Sequence, residues 1–210
     1  LELETLFEIG VAISSVLDVN ELAEDVLFRA IGVLNASRGM FVRQNEQSPI
    51  LDILSMFNWG DKKFLLSKKI DILKKINDGE NGLILTDVHN TELQKKLKEN
   101  NLLVVPLRAK DSLLGFMILC DKETRKGVEN FNDLDLDILT SLSNQAAVAM
   151  DNAKLFKEIT EAKQFNESIL GSIATGVITI NALGEIDSVN KAGENILRLG
   201  QEEILNNHYM

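Results

Sequence analysis

Residues Val104–Phe156 read VVPLRAKDSLLGFMILCDKETRKGVENFNDLDLDILTSLSNQAAVAMDNAKLF, and the periodicity of this stretch changes once along its length. Leu102–Ala109 and Leu113–Lys122 are apolar and β-rich around the polar Lys110-Asp111-Ser112, which predicts two strands of a hairpin. A polar segment then leads to Asn132, a suitable N-cap. From Asp133 to Leu170 the chain has neither Pro nor Gly, which predicts a helix much longer than average. Two antiparallel strands running straight into such a helix place the fold in the α+β class.

Upstream, Leu3, Leu6, Phe7, Ile13 and Leu17 are mostly at helical spacing. Asp18 and Glu21 have the shape of a capping box, and Leu22, Val26, Ala30, Val33 and Leu34 continue a second helix as far as Asn35. After Gly39 the period shortens. Met40–Arg43 reads as a strand, Asn45–Pro49 as a turn and Ile50–Phe57 as the partner strand. Lys63–Ile76 returns to helical spacing, with Leu66, Ile70, Leu73 and Ile76 on one face; Gly79 and Gly82 bracket its exit. Leu83–Thr86 is a short strand and Thr91–Asn100 a Lys-rich amphipathic helix.

Downstream, the long helix carries two stripes. Leu142, Ala146, Ala149, Ala153 and Phe156 form one; Leu155, Ile159, Ala162, Asn166 and Ile169 follow alternating steps of four and three. The second stripe predicts a dimer seam in which Asn166 occupies an a position and fixes a parallel, in-register pair. Two heptads would serve a helix packed on its own domain as well. Past Gly171, Val177–Asn181 and Glu185–Val189 predict a small hairpin, and a helix starts at Lys191. About 40 residues do not normally bury a core, so this tail is expected to be the opening of an incomplete second domain.

Composition narrows the function classes. The 210 residues carry 32 acidic against 22 basic side chains, a net charge of −10, so no partnership with nucleic acid or an anionic membrane surface is expected. A single Cys leaves no disulfide framework and no zinc site with two thiolates. With no membrane-length apolar run and no signal peptide visible, a piece of a larger cytoplasmic protein is expected.

Two stretches carry a family likeness. Ser15–Arg43 (SVLDVNELAEDVLFRAIGVLNASRGMFVR) resembles the opening of a GAF domain, and Val104–Phe156 resembles its close. The second match joins the Val-Pro-Leu strand, the Leu-Gly strand, Phe131 with Asp133 and Asp135, and the Asn144-Gln145-Ala146-Ala147…Ala149…Asn152-Ala153 helix. Ser168–Leu197, SILGSIATGVITINALGEIDSVNKAGENIL, resembles the start of a PAS domain, with Gly176, Gly184 and Asn190 in place. The resemblance implies a GAF domain over residues 1–157, a helical signalling linker over 158–172 and an incomplete PAS domain over 173–210. It further implies an antiparallel sheet of about six strands with helices on both faces and a ligand pocket under the connecting helices.

For that pocket the resemblance selects Phe41, Arg43, Met56, Phe57, Trp59, Leu85, Asp87 and Leu107. Arg43 and Asp87 are the charged members, placed either to orient a polar ligand or to pair with each other. The Asn-Lys…Phe…Asp-Glu pattern of cyclic-nucleotide-binding relatives is matched here by Asp121, Lys122, Phe131, Asp135 and Leu136. The departures at Asp121 and Leu136 favour a structural ion pair, Lys122 with Asp135, over nucleotide binding. Cys120, on an apolar strand, reads as a small core residue rather than an iron ligand, and His89 as a solvated loop residue. The thiol relay of sulfoxide-reducing relatives needs several cysteines. No catalytic residue, metal ligand or cofactor is assigned.

The expectation is therefore a non-catalytic sensory and dimerisation module of a bacterial signal-transduction protein. It would pair as a homodimer through the first and last GAF helices, take up a small molecule and pass its state to an effector domain in the same chain. The alternative is a ligand-free structural spacer, packed solid where relatives have a pocket.

Overall fold

The structure, a computed structural model, describes residues 18–45, 47–110 and 112–205. The expected helix over residues 3–17, and with it the N-terminal part of the expected dimer contact, lies outside the described residues, as does His208.

The chain divides into two compact units, Leu1–Lys154 and Leu155–Met210. In the first, α1 (Val19–Leu34) is capped by Asp18, whose carboxylate accepts from the amides of Asn20 and Glu21 at 2.7 and 3.2 Å. The sheet comprises β1 (Ala36–Arg43), β2 (Asp52–Phe57), β3 (Leu83–Leu85), β4 (Leu102–Ala109), β5 (Ser112–Thr124) and β6 (Gly127–Glu129). All pairings are antiparallel, in the order β2-β1-β5-β4-β3, with β6 on the distal end of β5. This is the six-stranded antiparallel sheet of the α+β class that the resemblance implies; β6 is the strand that the residue pattern did not mark.

Both sheet faces are covered, so side chains alternate between two cores. On one face Phe41, Leu103, Val105, Leu107, Met117 and Leu119 pack against α1 and the N-terminal half of α4 (Asp133–Ser172). On the other, Met40, Val42, Leu102, Val104, Phe116, Ile118 and Cys120 pack beneath α2 (Asp71–Asn77) and α3 (Glu92–Leu97).

The helix expected over Lys63–Ile76 is confined to Asp71–Asn77. Its first half is extended: the Leu51 amide donates to the Leu66 carbonyl at 2.8 Å and that of Lys68 to Pro49 at 2.9 Å. Leu66 and Ile70 are buried from this extended segment. α3 begins with a reciprocal capping box between Thr91 and Gln94.

In the second unit, β7 (Ile178–Ile180) and β8 (Ile186–Val189) form a two-stranded hairpin, followed by α5 (Lys191–Leu197) and α6 (Gln201–Ile204). α4 is continuous from Asp133 to Ser172. Its last buried residue is Ala153; Leu155, Ile159, Ala162, Asn166 and Ile169 are all exposed. Among the described residues no helix is long and apolar enough to cross a membrane.

Candidate functional site

The α2/α3 face of the sheet is where charged groups reach into an apolar core. Trp59, 4% exposed, donates from its indole nitrogen to the Gly39 carbonyl at 2.8 Å. It stands edge-on to Phe64, with ring centroids 4.9 Å apart. The Arg38 guanidinium and the Lys62 ammonium each lie 5.7 Å from its ring centroid, within cation–π range. Arg38 also donates to the carboxylate of Glu99, a nearly buried residue just past α3.

Glu99 is in an unfavourable place for a charge. Burial first, and then its hydrogen bond to Asp121, push its carboxyl above the usual range; the nearby Arg38 cation opposes this without cancelling it. Asp121 is itself held in the left-handed region, φ 49°, with its amide donating to Asn101 at 3.0 Å. Glu99, Asp121 and the Arg38–Trp59 stack thus form one charged cluster at the end of β5 and the exit of α3. Two shallow clefts open nearby. One, about 360 Å³, is lined by Asp87, Asn90, Gln94, Lys95, Lys98, Glu99 and Asn100. The other, about 560 Å³, lies between α2 and α3, among Asp71, Lys74, Lys75, Asp78, Asn90 and Glu92. Its mixed charges give no basic surface for an anion.

Of the eight residues selected for one pocket, the structure brings Trp59 and Leu85 together on this face and puts Asp87 at the rim of the smaller cleft. Phe41 and Leu107 are completely buried on the opposite face, against the α1/α4 layer. Phe57 joins them there, edge-on to Phe28 at 5.2 Å. Met56 is exposed on β2. Arg43 pairs with Asp52 at 3.1 Å and not with Asp87; hydrogen bonds from Arg43 and then Asn45 hold the Asp52 carboxyl below its usual value. The expected single lining is therefore divided between two cores. Where a pocket was expected under α2 and α3, Leu66, Ile70, Leu73 and Ile76 fill the space, each at most 1% exposed.

Elsewhere the geometry is structural. Lys122 on β5 meets Asp135 in the first turn of α4. Cys120 is buried, and desolvation pushes its thiol well above the usual value, which suppresses thiolate chemistry. His89 accepts the Thr86 amide on Nδ1 at 3.0 Å and fastens the loop before α3. Among the described residues no group of three His, Cys, Asp or Glu side chains could hold a metal ion.

A family model described as GAF domain matches residues 18–152. The chain belongs to the GAF family. GAF domains are sensory and signalling modules and generally regulatory. The GAF chain is 21% identical over 198 residues to diguanylate cyclase A of Treponema denticola, covering 88% of this chain and 53% of that protein. It thus spans about half the length of that curated relative. Among solved structures it resembles the GAF domain of a phosphoenolpyruvate-protein phosphotransferase from Coxiella burnetii, with TM-score 0.61, 15% identity, and 74% and 96% of the two chains covered. It also resembles free methionine-R-sulfoxide reductase from Neisseria meningitidis, solved in complex with its substrate, with TM-score 0.59, 12% identity, and coverage of 71% and 88%. At such identities these two likenesses speak for the fold.

Arg38, Glu99 and Asp121 form the cluster that sequence reasoning passed over as a site. Arg38 fell in the gap between the helix read as far as Asn35 and the strand read from Met40, whereas β1 begins at Ala36. Its signal was parity: Arg38, Met40 and Val42 are two apart and share a face.

Proposed function

We propose that this GAF chain is a regulatory relay and dimerisation module of a cytoplasmic signal-transduction protein, with no chemistry of its own. In this reading residues 1–157 are the GAF domain, 158–172 a signalling linker and 173–210 the beginning of a PAS-like domain. Two copies pair in parallel along Leu155, Ile159, Ala162, Asn166 and Ile169, and the paired helices bias an effector domain in the same longer protein. The observation that carries this is α4, which runs from its last buried residue, Ala153, to Ser172 with that apolar seam facing solvent. An isolated helix with such a face is marginal in water, and a second copy in register covers it. The diguanylate cyclase relative supports an effector of the nucleotide-cyclase kind. The buried, poorly ionised Cys120 supports a non-enzymatic role.

A small molecule would act at the α2/α3 face, entering by the cleft at Asp87 and Glu99 and displacing the Glu99 carboxylate from Arg38. It could shift the relay only by its differential affinity for the two arrangements. The spacer reading has its own support in the solid packing of Trp59, Leu66, Ile70, Leu73 and Ile76. Native mass spectrometry, compared with the denatured mass, tests both levels. A dimer carrying extra mass supports the sensor and a bare dimer the spacer. A monomer removes the relay.

A further inference from the structure

Asn190 spends its whole side-chain amide on joining three elements of the second unit. Its Nδ2 donates to the carbonyls of Leu170, in the last turn of α4, and of Thr175, both at 3.0 Å. Its Oδ1 accepts from the Val177 amide at 2.8 Å, where the chain enters β7, and from the Gly193 amide at 2.9 Å, which caps α5. The backbone adds a further tie, Asn190 amide to Val177 carbonyl, at 3.0 Å. Both donor hydrogens and both acceptor lone pairs are used, and the residue is 7% exposed. The joint is tight: a Cβ on Gly193 would stand 2.7 Å from Val189 Cγ2 and 3.2 Å from Asn190 Oδ1.

We propose that Asn190 is the positioning residue that couples the end of α4 to the hairpin and α5, so that a displacement of the helix moves those elements with it. The proposal rests on the reading of α4 as the relay, but the joint is measurable whether or not the chain dimerises or binds a ligand. The helix end has few alternatives. Its last carbonyls have no intrahelical partner, and an amide is the side chain that can donate to them while accepting from two backbone N–H groups.

Asn190→Asp separates the two halves of the joint. The carboxylate still accepts from Val177 and Gly193, since Asp caps helices as well as Asn, but it cannot donate to Leu170 and Thr175 and instead faces their carbonyl oxygens. The experiment is site-resolved amide hydrogen exchange on the full 210-residue chain, with light scattering of each variant to read oligomeric state separately. Asn190→Asp is expected to raise exchange across residues 168–175 about tenfold, the scale of one or two lost hydrogen bonds, while the Glu194–Leu197 amides keep their protection. Ser168→Gly, which loosens α4, is expected to raise exchange in β7 and β8 in the wild-type background and to leave them unchanged beside Asn190→Asp. The proposal is overturned if Asn190→Asp leaves residues 168–175 unchanged, if it loosens α4, hairpin and α5 equally, or if the end of α4 already exchanges like unfolded chain in the wild type.

Discussion

Lys122 Nζ donates to both carboxylate oxygens of Asp135, at 2.7 and 2.8 Å, and so fastens β5 to the first turn of α4. Asp135 serves the helix as well. Its Oδ2 accepts the Asn132 amide at 2.9 Å, and its own amide donates to Asn132 Oδ1 at 3.1 Å, a reciprocal cap at the helix start.

Removing the two partners should therefore be unequal. Asp135→Asn leaves a largely buried ammonium without its counter-charge and is expected to cost about 2–4 kcal/mol. Lys122→Met leaves the carboxylate with the Asn132 amide and the helix N-terminus and should cost about 1–2 kcal/mol. Urea unfolding of both variants decides; equal losses would mean that the pair has no asymmetric role.

Glu99 predicts a pH dependence. Because its folded carboxyl binds protons more tightly than in the unfolded chain, the native state holds more protons between the ordinary glutamate value of 4.5 and the raised value. Stability then falls as pH rises through that window and stays lower above it. Glu99→Gln should remove this component, so that the variant gains on the wild type with rising pH. Parallel thermal unfolding curves at all pH values would contradict it.

The backbone of β5 leaves no room at Gly115, where a Cβ would stand 2.0 Å from the Val42 carbonyl oxygen. Gly115→Ala must push β1 and β5 apart and is expected to cost about 2–4 kcal/mol. Gly32, in α1, has nothing within 4 Å of an added Cβ, and Gly32→Ala should stabilise by about 0.5–1 kcal/mol. Opposite signs in chemical denaturation are the check.

For the proposed seam, Ile159→Asp should convert dimer to monomer without changing the melting of the β-sheet core, because Ile159 is 68% exposed in the single chain. Asn166→Leu should keep or tighten association but relax register and orientation. Sedimentation and spin-label distances read the two effects; a register unaltered by Asn166→Leu removes that residue's role.

Trp59 is the one tryptophan of the chain and lies under Arg38 and Lys62. Its emission should be blue-shifted and poorly quenched by acrylamide. Arg38→Ala, which strips away one of the two cations and frees Glu99, should increase quenching severalfold. A solvent-exposed spectrum in the wild type would contradict the packed face.

Strand pairing and the long helix were legible because the β4–β5 turn and the uninterrupted run after Asn132 are local signals. The face each strand residue occupies was not. Met40-Phe41-Val42, Leu102–Leu107 and Phe116–Cys120 are apolar throughout, as a sheet covered on both sides requires, so alternation has no visible phase and Phe41 and Leu107 were assigned to the wrong side. Leu66, Ile70, Leu73 and Ile76 misled differently. Their spacing suits a helix, but the pairing of Leu51 with Leu66 sets the first half extended, a long-range tie with no local trace. Arg38–Glu99 spans 61 residues and had none either.

The central position of β5 also sets a timetable. β1 and β2 can meet as soon as both exist, but the tie from Ser37 to the Cys120 carbonyl closes 83 residues, and the apolar side of α1 has no complete cover until β5 and α4 emerge. Closing so long a loop is slow compared with forming a hairpin. During synthesis the first half of this domain must therefore persist as a half-sheet with a bare edge, the stage at which the chain is most exposed to mispairing.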